Sequence, residues 1–271
     1  MKRHLSNLML VLVFVAGLSL LLYPTVSDYW NSFHQSRAVV SYADQVAELD
    51  TRSYDEIWEA ARKYNENLMY KRNRYFMDES ERTIYESLFN VGGYGIMGTV
   101  EIPKIKVKLP IYHGTEESVL QVAIGHIEGS SLPTGGWGTH CVISGHRGLP
   151  SAKRCTNLDQ LVVGDKFMLH VLDETLTYEV DQILVVLPNE MEALEIDPFS
   201  DFCTLITCTP YGINSHRMLV RGHRVETQAV KAPVRITSDA TMIDPLTVSA
   251  VLFAPLLLLW MFGLLFSTRK R

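Results

Sequence analysis

Residues 204–224 read TLITCTPYGINSHRMLVRGHR, a pattern typical of two β-strands joined by a loop. Cys208 lies near the end of the first strand, and Thr209–Asn214 forms the loop because proline, glycine and asparagine interrupt a strand. We expect the second strand to return Arg217 towards Cys208. A guanidinium beside a thiol favours the thiolate, which is the nucleophilic form of cysteine. The pattern therefore predicts Cys208 as a nucleophile. The alternative interpretation is a cysteine buried in the core.

A cysteine nucleophile in acyl transfer also needs a group that protonates the departing amine, and histidine is the usual choice. His146 is the best placed of the 9 histidines. It follows a predicted strand and begins a loop in the segment SGHRG, residues 144–148. Loops that follow strands often carry active-site residues. The alternative interpretation of His146 is a solvated loop histidine.

The second half of the chain contains many short runs with strand character and little helix between them. TVEIPKIKVKLPIY, residues 99–112, alternates apolar residues with lysines and is predicted to be one half-buried strand. Turn signals such as Gly135-Gly136 and Gly164-Asp165 separate the runs. Such a pattern predicts a closed barrel or a sandwich. The further candidate strands are HCVISG (140–145), DKFMLHVL (165–172), LTYEVDQILVVL (176–187), CTLITC (203–208) and HRMLVRGHRV (216–225).

The region before these strands has helical periodicity. Apolar residues recur at helical spacing within residues 36–90, and a second short helix is expected around Ile84 and Leu88. Glycines at 92, 93 and 95 end the helical pattern. Residues 25–95 are therefore predicted to form a helical region, and the polar segment 227–245 is predicted to be a linker.

Two apolar runs have the length of a membrane-spanning helix, which is about 20 residues. They cover residues 5–24 and 246–266. Basic residues at the chain ends, within 1–4 and 267–271, predict that both ends are cytoplasmic and that residues 25–245 are extracellular. The alternative for the first run is a cleaved signal peptide, but no convincing cleavage site follows it.

Composition and cysteine spacing exclude several other classes of function. The formal net charge of −5 gives no indication of a nucleic-acid-binding surface. The sequence has 4 cysteines but no CxxC pair, so no structural zinc site is predicted. Cys203 and Cys208 are too far apart on one strand for a disulfide. Cys141, Cys155 and Cys203 are interpreted as small buried hydrophobic residues.

The strand TLITC, followed nine residues after its cysteine by Arg217, resembles the signature of the sortases. The similarity extends over residues 96–226 and is strongest to the class C, pilus-building sortases. It is carried by MGTVEIPKIKVKLPIYHGT (97–115), GHIEGSSLPTGG (125–136), VISGHRGLPSAK (142–153) and TLITCTPYGINSHRMLVRG (204–222).

This resemblance implies a mostly β fold, the eight-stranded sortase β-barrel, with N-terminal helices and two transmembrane helices. It implies Cys208 as nucleophile, His146 as general acid and base, and Arg217 as the group that stabilises the oxyanion or the substrate. The expected substrates are pilin or surface proteins with LPxTG-like sorting signals. Cleavage forms a thioester, and a lysine of another pilin subunit resolves it as an isopeptide bond. No metal or organic cofactor is implied.

One feature departs from class C sortases, which commonly carry a lid motif, Asp-Pro-Phe or Asp-Pro-Trp, ahead of the barrel. The only Asp-Pro-Phe in this chain is Asp197-Pro198-Phe199, directly before the catalytic strand, and we interpret it as an ordinary turn. The expected lid region contains only Phe76-Met77-Asp78-Glu79-Ser80. The sequence therefore predicts an altered or absent lid.

Three other functions fit parts of the sequence. A sortase substrate would end in an apolar segment and a basic tail, but no LPxTG motif precedes residue 246. An inactive membrane scaffold would not need Cys208, His146 and Arg217 together. A housekeeping sortase, which anchors surface proteins to peptidoglycan, stays open as the alternative to pilus assembly.

Overall fold

The computed structural model describes residues 2–121, 123–146, 153–210 and 212–227. Trp30–Gln228 form one compact unit, which contains the β-barrel, and residues 1–29 belong to a second unit. The predicted linker at 227–245 lies almost wholly outside the described residues. The predicted membrane segment at 246–266 and the basic tail at 267–271 lie outside them entirely.

Three helices precede the barrel, and the second and third agree with the helical periodicity predicted within residues 36–90. They are α1 (Lys2–Ala47), α2 (Thr51–Met69) and α3 (Glu79–Ser87). Asp50 caps α2 by accepting a hydrogen bond from the Ser53 backbone N–H at 2.8 Å. Asp78 and Glu81 form a reciprocal capping box at the start of α3. These polar caps satisfy the unpaired N–H groups of the first turn.

No helix among the described residues is both long enough and apolar enough to cross a membrane. The predicted span at 5–24 lies within α1. A membrane span at 5–24, like the one at 246–266, therefore stays a prediction.

Eight strands form a closed barrel, which confirms the predicted architecture. Neighbouring strands follow the order β1-β2-β3-β4-β7-β8-β6-β5, and β5 pairs with β1 to close the sheet. A short helix, α4 (Glu117–Leu120), precedes β3. The strands are β1 (Ile96–Ile102), β2 (Val107–His113), β3 (Ile124–His126), β4 (Thr139–Gly145), β5 (Lys166–Val171), β6 (Glu174–Val186), β7 (Asp201–Thr209) and β8 (His216–Val225).

The prediction of one strand over residues 99–112 is wrong. The chain turns through a 3-10 helix at Pro103–Ile105, and β1 and β2 form an antiparallel hairpin in which Ile102 pairs with Val107. Proline lacks an N–H group and cannot donate to a strand ladder. Lys106 adopts the left-handed conformation, with φ of 53°, that closes the turn. Apolar residues recur at every second position of the sequence on both sides of the turn, so the sequence pattern conceals the break.

Buried polar contacts fix the helices to the barrel. The Tyr42 hydroxyl of α1 donates to Met97 O at 3.1 Å and accepts from the Leu172 N–H at 2.9 Å. Asn65 of α2 donates to Leu132 O at 3.0 Å and accepts from the Leu132 N–H at 2.8 Å. Because an unpaired buried amide is costly, these bonds specify one position of the helices on the sheet.

Candidate active site

The site forms where three neighbouring strands, β4, β7 and β8, end or begin. β4 and β7 run parallel, and their last paired residues are Ser144 and Ile206. Continuing that register by two positions sets His146, the first residue after β4, opposite Cys208. Neighbouring strands lie about 4.8 Å apart, so the register brings the histidine and the cysteine to the same end of the barrel. The fold thus juxtaposes two residues that are distant in sequence.

Cys208 and Arg217 face each other across the antiparallel pair of β7 and β8. The return of Arg217 towards Cys208, predicted from the hairpin pattern, is therefore confirmed. Cys208 is partly exposed, whereas Cys203 on the opposite face of β7 is fully buried. A partly exposed cysteine at a strand end is accessible to a substrate. The alternative of a core cysteine applies to Cys203 and not to Cys208.

The guanidinium of Arg217 is held by two backbone carbonyls, one in the loop that connects β7 to β8 and one at the first residue of β8. Its Nη1 donates to Asn214 O and to His216 O, both at 3.1 Å. The loop itself is closed by Pro210 O, which accepts from the N–H groups of Ile213 at 3.2 Å and Asn214 at 2.9 Å. These bonds hold the guanidinium at the end of the hairpin that carries Cys208.

Arg221 lies on the same face of β8 but has other partners. It forms a two-point contact with the carboxylate of Asp181, at 3.1 Å from Nε and 2.9 Å from Nη2. Its guanidinium also lies 4.2 Å from the centre of the Phe202 ring. Arg221 pairs with Thr204 in the ladder, four residues from Cys208. Of the two arginines, Arg217 is therefore the one that lies opposite the candidate nucleophile.

His146 lies beside an acidic side chain of the short helix α4. Its Nε2 lies 3.4 Å from Glu117 Oε2, and the imidazole is 24% exposed. Hydrogen bonds from Gln121 and then from His146 hold the pKa of the Glu117 carboxyl below its usual value. His146 is thus partly buried next to a carboxylate, which differs from the freely solvated loop histidine of the alternative interpretation.

Two other cysteines lie next to each other inside the barrel. Cys141 of β4 and Cys203 of β7 are register partners, and both are buried. Burial raises the pKa of the Cys203 thiol well above its usual value. The interpretation of these two cysteines as buried core residues is confirmed, whereas the side chain of Cys155 lies outside the described residues.

The two motifs considered for a lid have ordinary local roles. Asp197 accepts hydrogen bonds from the Phe199 N–H at 3.0 Å and the Ser200 hydroxyl at 2.7 Å, which confirms a turn. Asp78 caps α3, and Phe76 just before it is 81% exposed. Among the described residues, no cluster of three or more histidine, cysteine or acidic side chains is arranged to hold a metal.

Sequence reasoning missed a segment that borders this site. The connection between β6 and β7 folds back, and Leu194 packs with Val142, Ile206 and Leu219 on the face of the sheet that carries Cys208. Arg74 and His140 bind the same segment. No local pattern indicates this arrangement, because its partners come from the helical region and from β4.

Comparisons with known proteins agree with this geometry. The family model described as "Sortase domain" matches residues 100–225. Sortase A from Bacillus anthracis is 22% identical over 231 residues, 85% of this chain and 99% of the relative. The structure of sortase C1 from Streptococcus agalactiae is 48% identical, with a TM-score of 0.68, and the match covers 71% of this chain and 100% of the other.

A further structure, sortase C from Streptococcus pneumoniae, is 41% identical, with a TM-score of 0.63 and coverage of 71% of this chain and 98% of the other. The similarity therefore spans nearly the whole of each solved neighbour, and it includes the barrel and the strands that carry the site. The chain belongs to the sortase family of cysteine transpeptidases and is most similar to the class C sortases.

Proposed function

We propose that this sortase polymerises pilins: it cleaves an LPxTG-like sorting signal and joins the pilin to a lysine of the next subunit. The arrangement of His146, Cys208 and Arg217 at the ends of adjacent strands carries the proposal, because it supplies the groups that such a transfer needs. The high identity to class C sortases supports pilins as substrates. The S. pneumoniae neighbour is itself described in terms of pilin substrate specificity.

Each residue has a distinct role in the proposed reaction. The Cys208 thiolate attacks the carbonyl carbon of the Thr–Gly bond, and a tetrahedral oxyanion forms. Arg217 stabilises the negative charge on that oxygen. His146 donates a proton to the departing glycine amine, which leaves a thioester on Cys208. The neutral ε-amine of a pilin lysine then attacks the thioester, His146 accepts the proton, and Cys208 departs as thiolate.

The alternative is a housekeeping sortase, in which an amine of peptidoglycan accepts the acyl group. The full-length similarity to a sortase A favours this alternative, but at 22% identity it is weaker than the similarity to sortase C1. Both functions share the thioester step and differ only in the acceptor amine. The second half of the reaction therefore distinguishes them.

The experiment that tests the proposal follows both half-reactions. The full chain, purified in detergent, is incubated with LPxTG-type peptides, and mass spectrometry is used to find an acyl adduct on Cys208. A pilin domain and a peptidoglycan stem peptide are then offered as competing acceptors. An isopeptide product on a pilin lysine supports pilus assembly. Transfer only to the stem peptide supports the alternative, and the absence of any adduct contradicts both.

We further propose that residues 5–24 and 246–266 anchor the enzyme in the cell membrane with residues 25–245 outside. The apolar runs and the basic residues at both chain ends support this topology. The substrates fit it, because pilins and other surface proteins are joined outside the cell membrane.

A further inference from the structure

The segment of residues 191–195, here called the site wall, covers the face of the sheet next to the candidate active site, on the strands that carry Cys208 and Arg217. Leu194 is 3% exposed and packs against Ile206 of β7 and Leu219 of β8. Ile206 lies two residues before Cys208, and Leu219 lies two residues after Arg217. Two residues of a strand span about 7 Å. A peptide bound along this face at Cys208 would therefore touch the site wall.

A buried arginine from the helical region holds the site wall in place. Arg74 Nη1 donates to Glu195 Oε2 at 2.9 Å, and its Nη2 donates to Leu194 O at 3.1 Å. The Arg74 side chain is 8% exposed, whereas that of Glu195 is 63% exposed. The guanidinium also lies 4.8 Å from the centre of the Tyr75 ring. The planar fork of donors thus binds a backbone oxygen and a carboxylate at the same time.

A histidine of the sheet holds the same segment from the other side. His140 Nδ1 donates to Glu195 O at 2.9 Å. Its Nε2 accepts from the Thr204 hydroxyl at 2.7 Å, which fixes one neutral tautomer. Backbone oxygens of Leu194 and Glu195 are therefore bonded from two separate elements, the segment before α3 and strand β4.

We infer that Arg74 is a positioning residue that pre-orders the site wall for the sorting-signal peptide, an inference that rests on the proposed function. A wall that is already fixed does not lose conformational freedom when the peptide binds. Without Arg74, the site wall becomes ordered only when the peptide binds, and the entropy lost in that ordering weakens binding. The chemical step at Cys208 is unchanged, because Arg74 contacts neither the nucleophile nor the reacting bond.

The test compares Arg74→Ala and Arg74→Lys with the wild type in acylation by an LPxTG-type peptide. We expect Arg74→Ala to raise KM about tenfold and to change kcat by less than about twofold. Lysine keeps the charge but not the fork, so Arg74→Lys should recover part of the loss. The matched control is Arg82→Ala, which removes another contact between the helical region and the barrel, with Glu128 at 3.0 Å, and leaves KM unchanged.

A second readout separates positioning from a purely structural role. Iodoacetamide is too small to contact the site wall when it reacts at Cys208. Its rate of alkylation at Cys208 should therefore be equal in the wild type and in Arg74→Ala. Glu195→Gln, a change at an exposed side chain, provides a variant that keeps Arg74 and folds readily. It should raise KM by a smaller factor, because the bond from Arg74 to Leu194 O remains.

Three outcomes are decisive. If the wild type forms no peptide adduct, the proposed function fails, whatever the variants do. If the wild type reacts and Arg74→Ala keeps the same KM, the positioning role is overturned. If Arg74→Ala loses iodoacetamide reactivity in parallel with peptide acylation, or if only its melting temperature falls, Arg74 is structural and the inference is also overturned.

Discussion

Cys208 lies directly opposite Arg217 in the antiparallel ladder of β7 and β8, and Arg217 Nη1 donates to the carbonyl of Asn214 in the connecting loop and to that of His216 at the start of β8. Opposed residues of an antiparallel pair have Cβ atoms about 5 Å apart on one face of the sheet. The register therefore sets Arg217 beside the candidate nucleophile, and the two backbone carbonyls hold its guanidinium at this end of the hairpin. Arg221, farther along the strand, is bonded to Asp181 instead.

The first prediction concerns the choice between these two arginines. Arg217→Lys should lose about 10²–10³ in acylation rate, because a lysine cannot replace the planar fork of donors at the oxyanion. Arg221→Lys should lose less than about threefold, although a weaker contact with Asp181 should lower stability by about 1 kcal/mol. Single-turnover acylation measures the first effect, and urea unfolding measures the second. The assignment of Arg217 is wrong if Arg221→Lys is the variant with the severe loss.

The second prediction concerns the nucleophile. Cys208→Ala should abolish the acyl adduct, because the partly exposed thiol is the attacking group. Cys203→Ala should keep the adduct and lose about 1 kcal/mol of stability, since its thiol is fully buried on the other face of the strand. Intact-protein mass spectrometry after incubation with peptide measures both. An adduct that survives on Cys208→Ala would show that another residue is acylated.

The third prediction concerns His146 as the general acid. His146→Ala should slow acylation by a peptide about 10²–10⁴-fold, because the amine cannot leave without a proton. The loss should shrink with a depsipeptide, in which the leaving alcohol depends less on protonation. His170→Ala is the matched control, because His170 also lies beside a glutamate, with Nε2 at 3.0 Å from Glu101 Oε2, but on β5. An equal loss with both substrates would argue against acid catalysis by His146.

The fourth prediction concerns stability in acid. Burial lowers the pKa of His140 to about 4, the hydrogen bond to Glu195 O opposes this, the nearby charges of Arg221 and Arg74 lower the pKa further, and Asp181 raises it. The unfolded chain binds a proton at His140 below about pH 6.5, whereas the folded chain does so only below about pH 4. His140 therefore destabilises the fold as pH falls through this window, by up to about 3 kcal/mol.

Urea unfolding at pH 7 and pH 4.5 measures this effect in the wild type and in His140→Asn. Asparagine keeps a donor and an acceptor but does not titrate, so the variant should lose less stability on acidification. Asp201, whose pKa is raised by burial, makes the fold more stable as pH falls. It is present in both proteins, so its contribution cancels when the wild type is compared with His140→Asn. An equal acid dependence of the two proteins would show that His140 does not titrate in this window.

The fifth prediction concerns membrane topology. Protease added to intact protoplasts should digest the 25–245 segment and spare a tag at either chain end, because the basic ends are retained in the cytoplasm. Immunoblots of each tag, with and without lysis, measure this. Digestion of a C-terminal tag in intact protoplasts would show that residues 246–266 do not return the chain to the cytoplasm.

The local features of the site were determined by the sequence. Strand alternation and turn residues are short-range signals, so they placed Cys208 and Arg217 on one hairpin and His146 at a strand end. Local patterns do not mark the turn at Pro103, because apolar residues recur at every second position on both sides of it. Recognition of the eight-stranded barrel needed the resemblance to the sortases, because local patterns fit a sandwich equally well.

Only the tertiary structure decided which elements meet. The parallel pairing of β4 with β7 sets His146 in register with Cys208, and that pairing depends on burying both faces of the two strands rather than on any local pattern. The contacts of Arg74 and His140 with Glu195 join three segments that are remote in the chain. The energies of these hydrogen bonds depend on burial and on interatomic distances, and the amino-acid sequence specifies neither of them locally.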